Sequence, residues 1–119
     1  MPVTDINEFH AAFTAAFNAR DVEGVIGMYE DGAVFVARPG MVVSDAGGLR
    51  QAIEGFVGSG FDLSLQTKDV LVKGDLALLR AAWQLKSGDL VMMSGDTVEV
   101  ARRQADGSWK YAIDNPFAA

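Results

Sequence analysis

The hydrophobic pattern of this chain changes from a helical period to a two-residue period about halfway along its length. In the first half, apolar residues recur at intervals of four, as in Phe9, Phe13 and Phe17. In the second half, Leu63 and Leu65 alternate with polar neighbours, which is typical of strands with one buried face. Helices followed by a run of strands predict an α+β domain with its helices on one side of an antiparallel sheet.

The pattern predicts three helices in the first 60 residues. The first carries the phenylalanine stripe, the second is capped by Asp21 and extends through Tyr29, and the third starts at Asp45 and ends before Gly58. Short strands are predicted at 33–37 and 41–43, and long strands at 61–73, 76–85, 90–104 and 109–114. A long curved sheet wrapped around three helices would form a cone with a concave mouth. At 119 residues, the chain forms one domain covering residues 1–119.

Charge and composition exclude several classes of function. The chain has ten Lys and Arg against sixteen Asp and Glu, so its net charge of −6 disfavours binding to nucleic acid. It has no cysteine and one histidine, which excludes disulfides, thiolate chemistry and multi-histidine metal sites. Nucleotide-binding and serine-hydrolase motifs are absent, and so is a secretory signal. We therefore expect a cytoplasmic protein with no cofactor, no bound metal, no nucleic-acid partner and no membrane contact.

Three segments carry a resemblance to a known superfamily. They are residues 13–35 (FTAAFNARDVEGVIGMYEDGAVF), 74–83 (GDLALLRAAW) and 102–116 (RRQADGSWKYAIDNP). Together they resemble the nuclear-transport-factor-2-like superfamily, with the closest similarity to its SnoaL-like and ketosteroid-isomerase-like small domains. The resemblance implies the cone-shaped, cystatin-like fold. It does not select a function, because this fold hosts isomerases, cyclases, dehydratases and non-enzymatic adaptors.

The resemblance also implies which isomerase residues this chain lacks. Ketosteroid isomerases use an Asp base, with a Tyr and a protonated Asp as oxyanion donors. The Tyr position corresponds to Phe13 and the base position to Ala37, whereas the second acid falls near Glu99. Phenylalanine donates no hydrogen bond and alanine accepts no proton. The resemblance therefore implies that steroid-type proton transfer is lost.

Glu99 and Asp114 are the remaining candidate catalytic acids. A two-residue turn at Asp106 and Gly107 would place them opposite each other, where the two carboxylates would share a proton, bind a cation or accept an arginine. A three-residue loop over 105–107 would shift the register by one residue and put them on opposite faces. We favour the three-residue loop.

A mostly apolar pocket is expected at the mouth of the cone. Its predicted ligand-binding residues are Phe13, Phe17, Tyr29, Phe35, Arg80, Trp83 and Asn115. The simpler interpretation of Tyr29 and Trp83 is that they are core residues. Arg80 lies in an apolar run and needs an anionic partner, which could be Asp114, Glu99 or a ligand. The lone His10 is expected to be structural or exposed.

The strands carry apolar residues on both alternations, which predicts a second covered face. Leu79, Ala81, Trp83 and Leu85 form one alternation of the strand at 76–85, and Leu76 and Leu78 belong to the other. Three helices can cover only one face of the sheet. A second copy of the chain is the simplest cover for the other, so we expect a homodimer formed through the sheet.

Three functions follow from these patterns. The first is a dimeric domain that binds a small, mostly apolar molecule without the isomerase machinery. The second is an acid–base enzyme of isomerase, polyketide cyclase or dehydratase type that uses Asp114 or Glu99. The third is a dimerisation module without catalysis, which a cavity below about 300 Å³ would favour.

Overall fold

The computed structural model describes residues 2–118 and contains helices on one face of a six-stranded sheet. The helical elements are a 3₁₀ turn (Ile6–Glu8), α1 (Phe9–Asn18), α2 (Val22–Ile26) and α3 (Ala46–Val57). The strands are β1 (Tyr29–Arg38), β2 (Met41–Val43), β3 (Asp62–Lys73), β4 (Leu76–Ser87), β5 (Leu90–Arg103) and β6 (Trp109–Asn115). None of the helices in residues 2–118 has the length and apolar character needed to cross a membrane.

The strands are arranged in the order β2-β1-β6-β5-β4-β3, in a curved sheet. The predicted α+β cone is confirmed, but the sheet is mixed rather than purely antiparallel because β1 and β6 run parallel. This pair joins the first strand of the chain to the last. It brings Tyr29 at the start of β1 beside the residues of β6.

The second helix is shorter than the sequence pattern predicts. It ends at Ile26, and Gly27 closes it with its amide bonded to the Glu23 carbonyl. The backbone is already extended at Tyr29, so the predicted helical position of this residue is wrong. β1 has a register irregularity between Tyr29 and Val34, and Gly32 lies within it at a φ of 74°.

The core lies between the helices and the inner face of the sheet. From α1 it takes Phe9, Phe13 and Phe17, and from α3 it takes Leu49, Ile53 and Val57. The buried residues of β4 are Ala77, Leu79, Ala81, Trp83 and Leu85, whereas Leu76 and Leu78 face outward. The predicted assignment of the two alternations to the two faces of the sheet is therefore confirmed. One end of this core remains open as a cavity.

Candidate functional site

Two buried carboxylates face each other across β5 and β6. Glu99 is the register partner of Asp114, and their exposed fractions are 2% and 6%. Between β5 and β6, the Gln104 amide donates to the Ser108 carbonyl and closes a turn of the three residues 105–107, as we favoured. A bulge then shifts the register between Tyr111 and Ile113. The prediction that the two acids occupy opposite faces is therefore wrong, because the bulge at Ala112 restores the pairing.

Glu99 is held by a hydrogen-bonded chain that starts on α1. His10 Nε2 lies 2.6 Å from Glu99 Oε1, and His10 Nδ1 lies 2.7 Å from Thr67 Oγ1 on β3. His10 is buried at 5% exposure, whereas Thr67 is exposed. We expected His10 to be structural or exposed, and no sequence pattern indicates its contact with the candidate acid Glu99.

Asp114 is hydrogen-bonded to a tyrosine of the first strand. The Tyr29 hydroxyl donates to Asp114 Oδ2 at 2.6 Å. Burial raises the pKa of Asp114 well above its usual value, and the nearby Glu99 charge raises it further, while the Tyr29 hydrogen bond acts in the opposite direction. Burial likewise raises the pKa values of Tyr29 and Tyr111, so both hydroxyls stay protonated at neutral pH.

These acids close one end of an apolar cavity of about 70 Å³. The other lining residues are almost all aromatic or aliphatic, and they come from α1, α3, every strand except β2, and the segment after β6. They are Phe13, Phe17, Tyr29, Phe35, Ile53, Phe56, Leu63, Leu65, Trp83, Leu85, Thr97, Tyr111, Pro116 and Phe117. Such a lining suits an apolar molecule that presents one polar group to the carboxyl end.

Most of the residues predicted to form a pocket lie together at this cavity. Phe13, Phe17, Tyr29, Phe35 and Trp83 line it, along with the two predicted acids Glu99 and Asp114. Within residues 2–118, no group of three His, Asp or Glu side chains is placed to hold a metal ion.

Two of the predicted ligand-binding residues lie elsewhere. Arg80 is on the outer alternation of β4 and forms an ion pair with Asp69 on β3, so its partner is neither a buried acid nor a ligand. Asn115 follows Asp114 on β6 and faces away from the cavity, with its side-chain oxygen accepting from the Phe117 amide. Both placements follow from the strand alternation, which turns successive side chains to opposite faces.

The segment after β6 covers the cavity beside Trp83. The Trp83 indole Nε1 donates to the Pro116 carbonyl at 2.5 Å, and the Phe117 ring packs edge-on against the indole at 5.8 Å. Gly95 lies opposite Trp83 on β5, where a Cβ atom would be 2.9 Å from the indole nitrogen. The glycine therefore makes room for the indole in its present position.

The comparisons with known proteins agree with this architecture. A family model described as the SnoaL-like domain matches residues 10–112. None of the curated protein sequences matches the chain.

Several solved structures share the fold. A Thiobacillus denitrificans protein, provisionally assigned as a calcium/calmodulin-dependent protein kinase type II association domain, is 18% identical over 98% of each chain, with a TM-score of 0.81. An NTF-2 like protein of unknown function from Shewanella oneidensis is 16% identical over 92% of this chain and 93% of its own, with a TM-score of 0.79.

A ketosteroid isomerase-like protein from Erwinia carotovora atroseptica is 24% identical over 92% of this chain and 90% of its own, with a TM-score of 0.66. These identities establish a shared fold and leave the chemistry open. Because the family model covers most of the sequence, the chain belongs to the SnoaL-like domain family.

Proposed function

We propose that the cavity binds a small, mostly apolar molecule and that Glu99 and Asp114 perform general acid–base chemistry on it. The observation that carries this proposal is the buried pair of facing carboxyl groups at the end of an apolar cavity. Burying such a pair costs stability, so a role in chemistry is the simplest reason to keep it.

The two acids have different surroundings, and these supply different roles. Asp114 is buried beside another acid, which favours its neutral form and makes it a proton or hydrogen-bond donor. Glu99 has an imidazole nitrogen 2.6 Å from one of its oxygens, which orients the carboxyl group and gives it a partner for proton exchange, so we assign it the role of proton acceptor. In known enzymes, two carboxyl groups in contrasting environments take different roles, one as the acid and the other as the base.

The small volume of the cavity limits the substrate. At about 70 Å³, it is well below the roughly 300 Å³ of ordinary ligand pockets and lies in the range that we associated with a dimerisation module. An engineered cavity of about 150 Å³ accepts benzene, so this one suits a molecule of a few heavy atoms. We prefer the catalytic role because a module has no need of buried acids.

The proposed chemistry does not use the isomerase's tyrosine and base positions. Phe13 lines the cavity without a hydroxyl group, and Ala37 is a buried residue of β1 that bears no acid. Tyr29 brings a hydroxyl group to Asp114 from a different element. We therefore infer an acid–base site for small carbonyl compounds rather than for steroids.

Hydrogen–deuterium exchange tests this proposal without knowledge of the complete reaction. A small ketone such as acetone is incubated with the protein in D₂O, and loss of the α-proton signals is followed by NMR. We expect exchange above the buffer rate, and its loss in Glu99→Gln. Glu54→Gln is the matched control, because Glu54 is exposed on α3. Exchange at the buffer rate throughout the panel would contradict the catalytic role.

A binding role without catalysis has its own support in the aromatic lining of the cavity. In the same samples, ketones that shift the NMR signals of cavity residues but show no α-proton exchange would indicate this second function. The wild-type protein and Glu99→Gln would then bind them equally.

We also propose that the chain forms a homodimer through the outer face of the sheet. A continuous row of apolar side chains crosses four strands there, in the register Leu71–Leu78–Val100–Ile113. Leu71, Leu78 and Ile113 are 63%, 37% and 44% exposed. A second copy would remove this row from water.

A cytoplasmic location is also part of the proposal, and the absence of cysteine from the sequence supports it.

A further inference from the structure

We propose that His10 and Thr67 form a proton path that connects the carboxyl group of Glu99 to the solvent. The inference rests on the proposed acid–base role of Glu99 and adds two residues that act through it. His10 and Thr67 do not line the cavity, so they are relay and positioning residues rather than groups that touch a substrate.

The geometry places three polar groups in sequence from the cavity to the surface. Glu99 lies at the cavity wall, His10 lies behind it, and Thr67 lies at the surface. The two links are 2.6 Å and 2.7 Å long, both within the range of short hydrogen bonds. Each ring nitrogen of the histidine therefore has one partner.

The strand register explains how Thr67 reaches this position. It continues the inward alternation of Leu63 and Leu65 on β3, and a bulge follows immediately between Thr67 and Asp69. The bulge turns the next residues outward, so that Asp69 pairs with Arg80 on the outer face. Bulges commonly re-aim side chains next to functional sites. Thr67 is thereby the last inward-facing polar group before the strand changes face.

The path conserves protons at each step. With Glu99 protonated on Oε1, its proton moves to His10 Nε2 while Nδ1–H donates to Thr67 Oγ1, which gives a carboxylate and an imidazolium. The Nδ1 proton then moves to Thr67 Oγ1 as the original hydroxyl proton of Thr67 leaves to water. Nδ1 now accepts a hydrogen bond from Thr67, and Glu99 is ionised. The reverse sequence protonates Glu99.

A hydroxyl group suits the outer end of such a path because it can both donate and accept. Its role changes with the protonation state of the imidazole, without movement of the backbone. A bound apolar molecule would exclude water from the carboxyl end of the cavity. The path would then reset Glu99 from behind, without release of the bound molecule.

NMR of the imidazole group tests the path directly, because His10 is the only histidine in the chain. The probe is exchange of the ring N–H with solvent in ¹⁵N-histidine-labelled protein without any added ligand. We expect Thr67→Val to slow this exchange by roughly tenfold or more, the order expected from one lost hydrogen bond. Thr67→Ser restores a hydroxyl group and is expected to exchange at nearly the wild-type rate.

Ser64→Ala is the matched control, since Ser64 is an exposed hydroxyl residue of the same strand. Its exchange rate should equal that of the wild type. If Thr67→Val exchanges as fast as the wild type or faster while still folded, protons reach His10 by another route and the path is overturned. The imidazole measurement requires no turnover, so its outcome does not depend on the ketone assay. A failure of the proton path can therefore be distinguished from a failure of the proposed acid–base function.

Discussion

Glu99 on β5 and Asp114 on β6 are direct register partners only because β6 bulges at Ala112. Ala101 pairs with Tyr111 on the loop side of the bulge, and Val100 pairs with Ile113 on the other side, so the register changes by one residue at Ala112. Without the bulge, Asp114 would lie one position out of register with Glu99. The bulge is therefore the local feature that turns two separate acids into one buried pair.

Asp114→Asn is expected to increase the stability of the fold at neutral pH. The pKa of Asp114 is raised in the folded protein, so the folded state holds a proton that the unfolded state releases. Stability is therefore lost as the pH rises from the ordinary value of 3.8 to the raised value in the folded state. Asparagine removes this loss and can still accept from Tyr29. Urea unfolding at pH 7 should show a gain of about 1 kcal/mol or more.

The gain should shrink as the pH falls towards 3.8, where the aspartic acid is protonated in both states. Asp31→Asn is a matched control because Asp31 is exposed on β1, and its effect should stay within about 0.5 kcal/mol. A clear loss of stability in Asp114→Asn at pH 7 would mean that the carboxylate is a structural hydrogen-bond acceptor.

Tyr29→Phe is expected to raise the pKa of Asp114 further. The Tyr29 hydroxyl donates to Asp114 and is the contribution that lowers this pKa, whereas burial and Glu99 raise it. Titration of the ¹³C-labelled aspartate carboxyl carbons would measure the change. Tyr111→Phe leaves the Tyr29 hydrogen bond in place and should not raise the value. An unchanged or lowered pKa in Tyr29→Phe would contradict the assigned hydrogen bond.

Periodicity predicts much of this fold, but the site depends on features that periodicity does not contain. The four long strands and the third helix follow from alternation and from the Asp45 cap, whose side chain accepts from the Gly48 amide. The bulge at Ala112 leaves no sequence signal, since alanine suits either a paired or a bulged position. His10 follows Phe9 on α1 and is buried with the phenylalanine stripe, yet its partner Glu99 is 89 residues away.

Tyr29 shows a second limit of sequence patterns. It lies at helical spacing from Val22, Val25 and Ile26, and local propensity therefore extends the helix through it. Pairing with β6 overrides that preference, because the Tyr111 amide bonds to the Met28 carbonyl. The hydroxyl group reaches Asp114 as a result of this long-range contact.

Gly95→Ala is expected to destabilise the protein and displace the Trp83 indole. The added Cβ would lie 2.9 Å from the indole nitrogen, so the ring must move and its bond to the Pro116 carbonyl would break. Overpacking of this kind costs about 1–3 kcal/mol. Tryptophan fluorescence and urea unfolding would detect the two effects. Gly55→Ala is the control, because no atom lies near its added Cβ within α3, and it should stabilise the helix by about 1 kcal/mol.

Leu78→Asp and Val100→Asp are expected to convert the proposed dimer to monomers. Both residues lie in the apolar row on the outer face, and a charge there would lose its water on association. Sedimentation equilibrium would measure a mass near twice 12.7 kDa for the wild type and near 12.7 kDa for each variant. Val42→Asp is a matched control at the far edge of the sheet, where the side chain is 61% exposed. Its mass should equal that of the wild type, and an unchanged mass in both row variants would exclude this face as the interface.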